Sequence, residues 1–249
     1  MIYIKNKNEI LLMKKAGKIA KGALVKACEA VRPGITTKEL DAIAEKFIKK
    51  CNAIPSFYNY NGYPGNVCIS INDEVVHGIP GNRVIEEGDI VSIDCGACFG
   101  GYHGDCADTV FAGNVCDEWK RLVEITKESF YVGIKQAVDG NRIGDISYAV
   151  QNYAEKNGYS IVRELEGHGV GTHLHEGPSV PNFGTPGRGA RLVSGMTIAV
   201  EPMINLGKPA VYCDSENGWT YKTVDGKPAA HYENTILITK EAPIILTEL

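Results

Sequence analysis

Gly88-Asp89-Ile90-Val91-Ser92-Ile93-Asp94 and Gly195-Met196-Thr197-Ile198-Ala199-Val200-Glu201 decide the fold. Each opens on a glycine, runs through apolar residues at strand length and ends in a carboxylate. They lie 107 residues apart. Downstream, His103-Gly104-Asp105 leads into Thr109-Val110-Phe111-Ala112, and His231-Tyr232-Glu233 leads into Thr235-Ile236-Leu237-Ile238. Each block therefore predicts a strand hairpin carrying one carboxylate on each arm. The two hairpins differ in span: the carboxylates are 11 residues apart in the first and 32 in the second.

Upstream of each hairpin the apolar period changes from strand to helix. Met13, Ala16, Gly17, Ala20, Leu24, Cys28 and Val31 line one helix face. Adding 106 gives Trp119, Leu122, Val123, Thr126, Phe130, Ile134 and Ala137, a second such face. Gly34 and Gly140 follow at the same offset. Next come Leu40, Ile43, Ala44, Phe47 and Ile48, matched by Ile146, Ala149, Val150, Tyr153 and Ala154. Thr36 and Glu39 form a capping box ahead of the second helix. Helix stripes alone match by chance at many offsets; stripes, glycines and carboxylates agreeing near one offset do not. The fold class expected is α+β, with two pseudo-twofold-related halves, about 8–113 and 117–240, in a single domain spanning 1–249. Their strands form one curved antiparallel sheet with helices on its outer face. Segments 170–194 and 202–230, rich in Gly and Pro, read as loops and hairpin ends.

The placement of the carboxylates carries the chemistry. Asp94 and Glu201 end apolar strands, where a charge is costly unless neutralised. A twofold relation brings Asp94, Asp105, Glu201 and Glu233 together near the axis. Four carboxylates there repel one another, and two divalent cations remove the conflict. His168, between Gly167 and Gly169, completes one ion's shell, and the glycines let the backbone approach a crowded site. Oxygen ligands with one imidazole favour Mn, Fe(II) or Co(II) over a closed tetrahedral zinc site. Singly, each residue has a plainer reading: Asp94 as a turn cap, Asp105 and Glu233 as solvated charges, His168 as a hydrogen-bonded loop residue.

Composition excludes other classes. The 249 residues are 44% hydrophobic with net charge −4, so neither a basic nucleic-acid surface nor a membrane span is expected. MIYIKNKNEI carries no signal pattern, and a cytoplasmic protein is expected. Its eight cysteines are then reduced, and Cys95-x-x-Cys98, with no second pair at zinc-ribbon spacing, reads as two strand or hairpin residues.

Further segments carry a resemblance: Gly62-Tyr63-Pro64, Val67 to Asn72, Val76-His77-Gly78-Ile79-Pro80, Asp89 to Asp94, Tyr102 to Asp105, Gly167 to Glu176, Ala199 to Pro202 and Tyr232 to Thr235. In that order, over nearly the whole chain, it resembles the type I methionine aminopeptidases, which have the pita-bread metallopeptidase fold. The resemblance implies metal ligands at Asp94, Asp105, His168, Glu201 and Glu233, with Asp105 and Glu233 bridging. It implies Glu201 as proton shuttle, His175 as oxyanion donor and His77 as orienter of the scissile peptide. It also implies a methionine pocket at Tyr60, Tyr63, Cys68, Leu174 and Trp219, with Phe57 nearby. The partners implied are N-termini of nascent polypeptides with a small second residue, and the ribosome. No specific DNA or membrane is implied, and the chain is expected to act as a monomer. Departures from the family pattern are Leu174 and Phe57, where other members carry Phe and Cys, and His231, where Gln is frequent. The competing readings are an Xaa-Pro peptidase of the same fold, a non-catalytic pita-bread binding protein, and a structural protein whose carboxylates only cap strands.

Overall fold

The glycines that punctuate the repeat adopt matching conformations. A computed structural model describes all 249 residues. In it Gly34 and Gly140 have φ of +91° and +101°, and Gly88 and Gly195 have +92° and +95°. These left-handed backbones cost a residue without Cβ little. Each of the first pair ties the end of its helix to the approach of the strand: Gly34 N–H donates to Ile85 O and Gly140 N–H to Leu192 O.

In chain order the elements are α1 (Lys7–Ala30), α2 (Thr37–Lys50), β1 (Ile54–Pro55), β2 (Cys68–Ile71), β3 (Glu74–Val76), β4 (Ile90–Phe99) and β5 (Tyr102–Phe111). Then follow α3 (Asp117–Ile134), α4 (Ile143–Lys156), β6 (Ser160–Ile161), β7 (Glu166–Gly169), β8 (Glu176–Pro181), β9 (Thr197–Val200), β10 (Met203–Asn205), β11 (Val211–Cys213), β12 (Tyr221–Thr223), β13 (Ala229–His231), β14 (Glu233–Leu237) and β15 (Ile244–Ile245). The capping box at Thr36 and Glu39 forms as expected, and Asn6 with Glu9 makes another at the start of α1. That second box was equally legible in the sequence.

The main sheet has nine strands in the order β1-β4-β5-β14-β9-β7-β8, with β2 also on β4 and β15 on β14, all antiparallel. Its centre is the pairing of β5 with β14, one strand from each repeat. Outward, β4 and β9 correspond, then β2 and β7. Buried apolar side chains fall mainly into two clusters. One joins α1 and α2 to strands before residue 113, and the other joins α3 and α4 to strands after it. Each helix pair thus covers its own hairpin. No helix is long and apolar enough to cross a membrane. All eight cysteines are free thiols; Cys95 and Cys98 both lie on β4, as the plainer reading had it.

Segments 170–194 and 202–230 differ from the loops expected. They contain β8 and β10 to β13, the latter in two small sheets, β13-β10-β6 and β11-β12-β3. Most of these strands are three residues long, and β3 and β6 find partners far away in sequence, so no local period reveals them. This excursion accounts for the wide spacing between Glu201 and Glu233.

Helix α1 lies directly on β5. A Cβ on Gly104 would stand 2.5 Å from both the Cα and the N of Gly17, and one on Gly17 would stand 2.3 Å from Leu246 O. Backbone cannot yield as a side-chain tip can. Gly104→Ala should therefore lift α1 from the sheet and cost about 1–3 kcal/mol, read as a lower midpoint in thermal denaturation. An unchanged midpoint would show that the contact has slack.

Candidate metal centre and substrate cavity

The register of four strands sets the site. Asp94 on β4 pairs with Ala107 on β5, and Ala107 pairs with Glu233 on β14. Asn234 pairs with Val200, so one further step places Glu201 opposite Glu233. Asp94, Ala107, Glu233 and Glu201 thus form one row on one face. Asp105 lies two residues from Ala107, on the same face and diagonal to both Asp94 and Glu233. Thr235 fixes the central strands: its hydroxyl accepts from Asp105 N–H at 3.0 Å and donates to Asp105 O at 2.9 Å. His168 arrives from β7 at a register irregularity between Gly167 and Gly169. A Cβ on Gly167 would stand 2.5 Å from Ala199 O, and one on Gly169 would stand 2.2 Å from Gly177 O. The glycines are therefore required for this approach.

Two of the acidic groups are buried, Asp94 and Glu201 are partly so, and the set is short of partners. Asp105 is 3% and Glu233 2% exposed, and Asp94 Oδ1, Asp105 Oδ1 and Glu233 Oε1 have no hydrogen bond. Burial, then mutual repulsion, holds Asp94, Glu201 and Glu233 well above the usual carboxylate range. Burial pushes Asp105 up to about 7. His168 donates from Nδ1 to Gly169 O at 2.9 Å, so a neutral ring carries its lone pair on Nε2. That atom is 3.6 Å from Glu201 Oε1 and 3.9 Å from Asp105 Oδ2. Burial pushes His168 down to about 3, which keeps it neutral. A lone pair facing carboxylates repels them, and cations between them turn repulsion into ligation. Two ligand groups have the required closeness: Asp105, His168 and Glu233, and Asp94, His231 and Glu233. The donor set therefore fits divalent metal.

A cavity of about 210 Å³ opens on this cluster. Thirteen of its 14 lining residues are those named from the sequence, Phe57 among them; the other is Asn61. One wall is an apolar group of Phe57, Tyr63, Cys68 and Leu174, extended by Tyr60 and Trp219. Tyr63 turns its hydroxyl away to Gly78 O at 2.8 Å and meets Trp219 edge-on, ring centres 5.2 Å apart. His175 stacks on Tyr60, with Nδ1 2.8 Å from the Tyr60 hydroxyl, and its ring centre is 3.9 Å from that of His168. His77 has φ of +61°, unusual for a residue with Cβ, and its ring meets Tyr221 edge-on. Burial, then His175, pushes His77 down to about 4. His173 points outward, its side chain 74% exposed. Asn61 and His231 were missed as site residues. His231 stood in the sequence only as the counterpart of His103 and as a departure from a family pattern. His103 itself turns to the Ser56 hydroxyl at 2.9 Å, away from the cluster.

Residues 11–240 match the model of metallopeptidase family M24. A methionine aminopeptidase of Clostridium perfringens is 53% identical over 99% of both chains. The chain belongs to metallopeptidase family M24, among its methionine aminopeptidases. The crystal structure of methionine aminopeptidase from Thermotoga maritima superposes with a TM-score of 0.98 at 44% identity, covering all of both chains. A prolidase from Pyrococcus furiosus is more distant: its TM-score is 0.79 at 25% identity, and this chain covers 65% of it. An M24 metallopeptidase is a hydrolase that binds divalent metal, which disfavours the non-catalytic reading; the far higher identity and full mutual coverage with methionine aminopeptidases disfavours the Xaa-Pro one.

The loop bearing Leu174 and His175 is held by residues 1–5. Lys5 Nζ pairs with Glu176 Oε2, with the two side chains 5% and 2% exposed, and Gly177 N–H donates to Met1 O at 3.1 Å. Burial raises the Glu176 pKa, but Lys5 and the His173 N–H outweigh it and hold the carboxyl below its usual range. A depressed folded-state pKa gives stability that is present above the unfolded value, about 4.3, and is lost as pH falls through the folded value. Lys5→Met, which strands a buried carboxylate, should cost about 3–5 kcal/mol at pH 7. In urea unfolding the gap between variant and parent should narrow as the pH is lowered through the acid range. A gap independent of pH would mean that the pair is not the source.

Proposed function

We propose that the chain removes the N-terminal methionine from nascent polypeptides whose second residue is small. Asp94, Asp105, His168, Glu201 and Glu233 would hold two divalent ions, Mn, Fe(II) or Co(II). The observation that carries this reading is the contact between a small apolar slot and a buried acidic cluster. An unbranched thioether fits the slot between Tyr63, Cys68, Leu174 and Trp219. The acidic end receives the free α-amine, which makes the enzyme an exopeptidase.

When bound, the ions neutralise the carboxylates and lower the pKa of water at the site, so that a nucleophile forms at neutral pH. Glu201 takes the proton from the attacking water and delivers it to the leaving amine. With the Tyr60 hydroxyl donating to Nδ1, His175 presents a proton on Nε2 to the developing oxyanion. His77, fixed by its backbone and by Tyr221, orients the scissile peptide. The catalytic unit is one domain of two halves, about 8–113 and 117–240. It acts as a monomer in the cytoplasm, on chains emerging from the ribosome, and needs neither DNA nor a membrane.

Exhaustive chelation should abolish turnover of Met-Ala-Ser, and Mn(II), Fe(II) or Co(II) should restore it; full turnover by metal-free protein overturns the reading. His175→Ala should lower kcat by on the order of 10²–10³ with little change in KM, whereas His173→Ala should stay near the parent rate. The reverse order would misplace the catalytic histidine. Across tripeptides, Met before Ala, Gly, Ser or Thr should be released readily, Met-Lys and Met-Phe poorly, and formyl-Met-Ala-Ser not at all. Efficient cleavage of the formylated peptide, or preference for Xaa-Pro, would point to another M24 reaction.

A further inference from the structure

The proposed mechanism leaves one imidazole at the cluster without a task. His231 ends β13, two residues before Glu233, and is 2% exposed. Its backbone is clamped from both sides: His231 N–H donates to the Thr109 hydroxyl at 3.1 Å, and that hydroxyl donates to His231 O at 2.8 Å. The strand pairing of His231 with Met203 holds it further. So fixed, the ring places Nε2 3.7 Å from Glu233 Oε2 and 3.9 Å from Glu201 Oε2. Nε2 has no hydrogen-bond partner.

These separations are too long for hydrogen bonds, which close to about 2.7–3.2 Å. They suit two ligands of one ion. Donor atoms each about 2.1 Å from a metal stand about 3.0 Å apart when cis and about 4.2 Å apart when trans. His168 Nε2 shows the same pattern on the other side, 3.6 and 3.9 Å from its carboxylate oxygens. The two possible ligand groups share Glu233 and contain one imidazole each.

We propose that His231 ligates the second metal ion through Nε2, together with Asp94 and Glu233, so that each of the two ions carries one imidazole. This rests on the two-ion reading above. A nitrogen donor added to an all-oxygen position should tighten the second ion and favour Fe(II), Co(II) or Zn over Mn(II) there. The alternative role is a positioning one, in which His231 only steers Glu201 and Glu233 and touches no ion.

The test is metal binding to the full chain, read without turnover. Apo protein is titrated with Co(II) by calorimetry and visible absorption, and the loaded protein is studied by X-ray absorption, whose multiple scattering counts imidazoles. The parent should bind two ions with an average of one imidazole per ion. His231→Gln should halve that average and weaken the second ion on the order of tenfold or more, leaving the first unchanged. The loss should be smaller when Mn(II) replaces Co(II). Half an imidazole per ion in the two-ion parent, a count that needs no variant, overturns the assignment. So does a second-ion affinity unchanged in both His231→Gln and His231→Asn, with retained first-ion binding showing that these variants are folded. Saturation of the parent at one ion overturns the two-ion reading itself.

Discussion

Four carboxylates on one face of a sheet, held close by backbone pairing, are the constraint on which the rest of this structure depends. The row through Asp94, Glu233 and Glu201 exists because β4, β5, β14 and β9 pair in one register. Ala107 between Asp94 and Glu233 is small, which leaves room on that face for the acids to converge. Nothing in the protein neutralises them: no Lys or Arg pairs with any of the four, and three of their oxygens lack any partner. A cation bound there would remove a repulsion that the unfolded chain does not have, so its binding and the folded geometry would be coupled.

The scaffold opposes that repulsion with rigid backbone contacts. Thr235 bonds both backbone groups of Asp105, across the seam where the halves meet. Gly17 and Gly104 let α1 lie directly on β5, and Gly167 and Gly169 let β7 bring His168 in. Separate apolar clusters then hold each helix pair to its hairpin. Acids fixed by strands cannot rotate apart to relieve their charge, so burial and repulsion appear instead as pKa values raised above the usual range.

What the sequence made legible was whatever repeats locally. The helix stripes, the glycines at φ near +90° and +100° and the carboxylate at each strand end all have a period or a fixed place within a segment. The row of acids followed once a twofold relation was supposed. What escaped was non-local. Strand β12 finds β3 and β10 finds β6 over long separations, through segments too short to show alternation. His77 and His175 carry no local sign of their surroundings, and only the family resemblance pointed to them. His231 was visible as an unusual residue, but its approach to Glu201 and Glu233 depends on the Thr109 clamp and on pairing with β10. The contact between Lys5 and Glu176 joins residues 171 positions apart, which no motif announces.

The two halves contribute differently, and the difference separates chemistry from specificity. Where the halves agree they supply the acids: a hairpin from each, meeting at β5 and β14. Where they disagree they build the walls of the cavity. The excursion between β9 and β14 carries Trp219 to the slot and Tyr221 to the His77 ring, and pairs β12 with β3 just before His77. The connection between β7 and β8 is longer than the two-residue turn between β2 and β3, and it carries Leu174 and His175. A symmetric cluster would bind a peptide equally well in either direction. The broken symmetry puts an apolar wall and two imidazoles on defined sides of it, so a peptide reaching the cluster would meet different surroundings in its two directions.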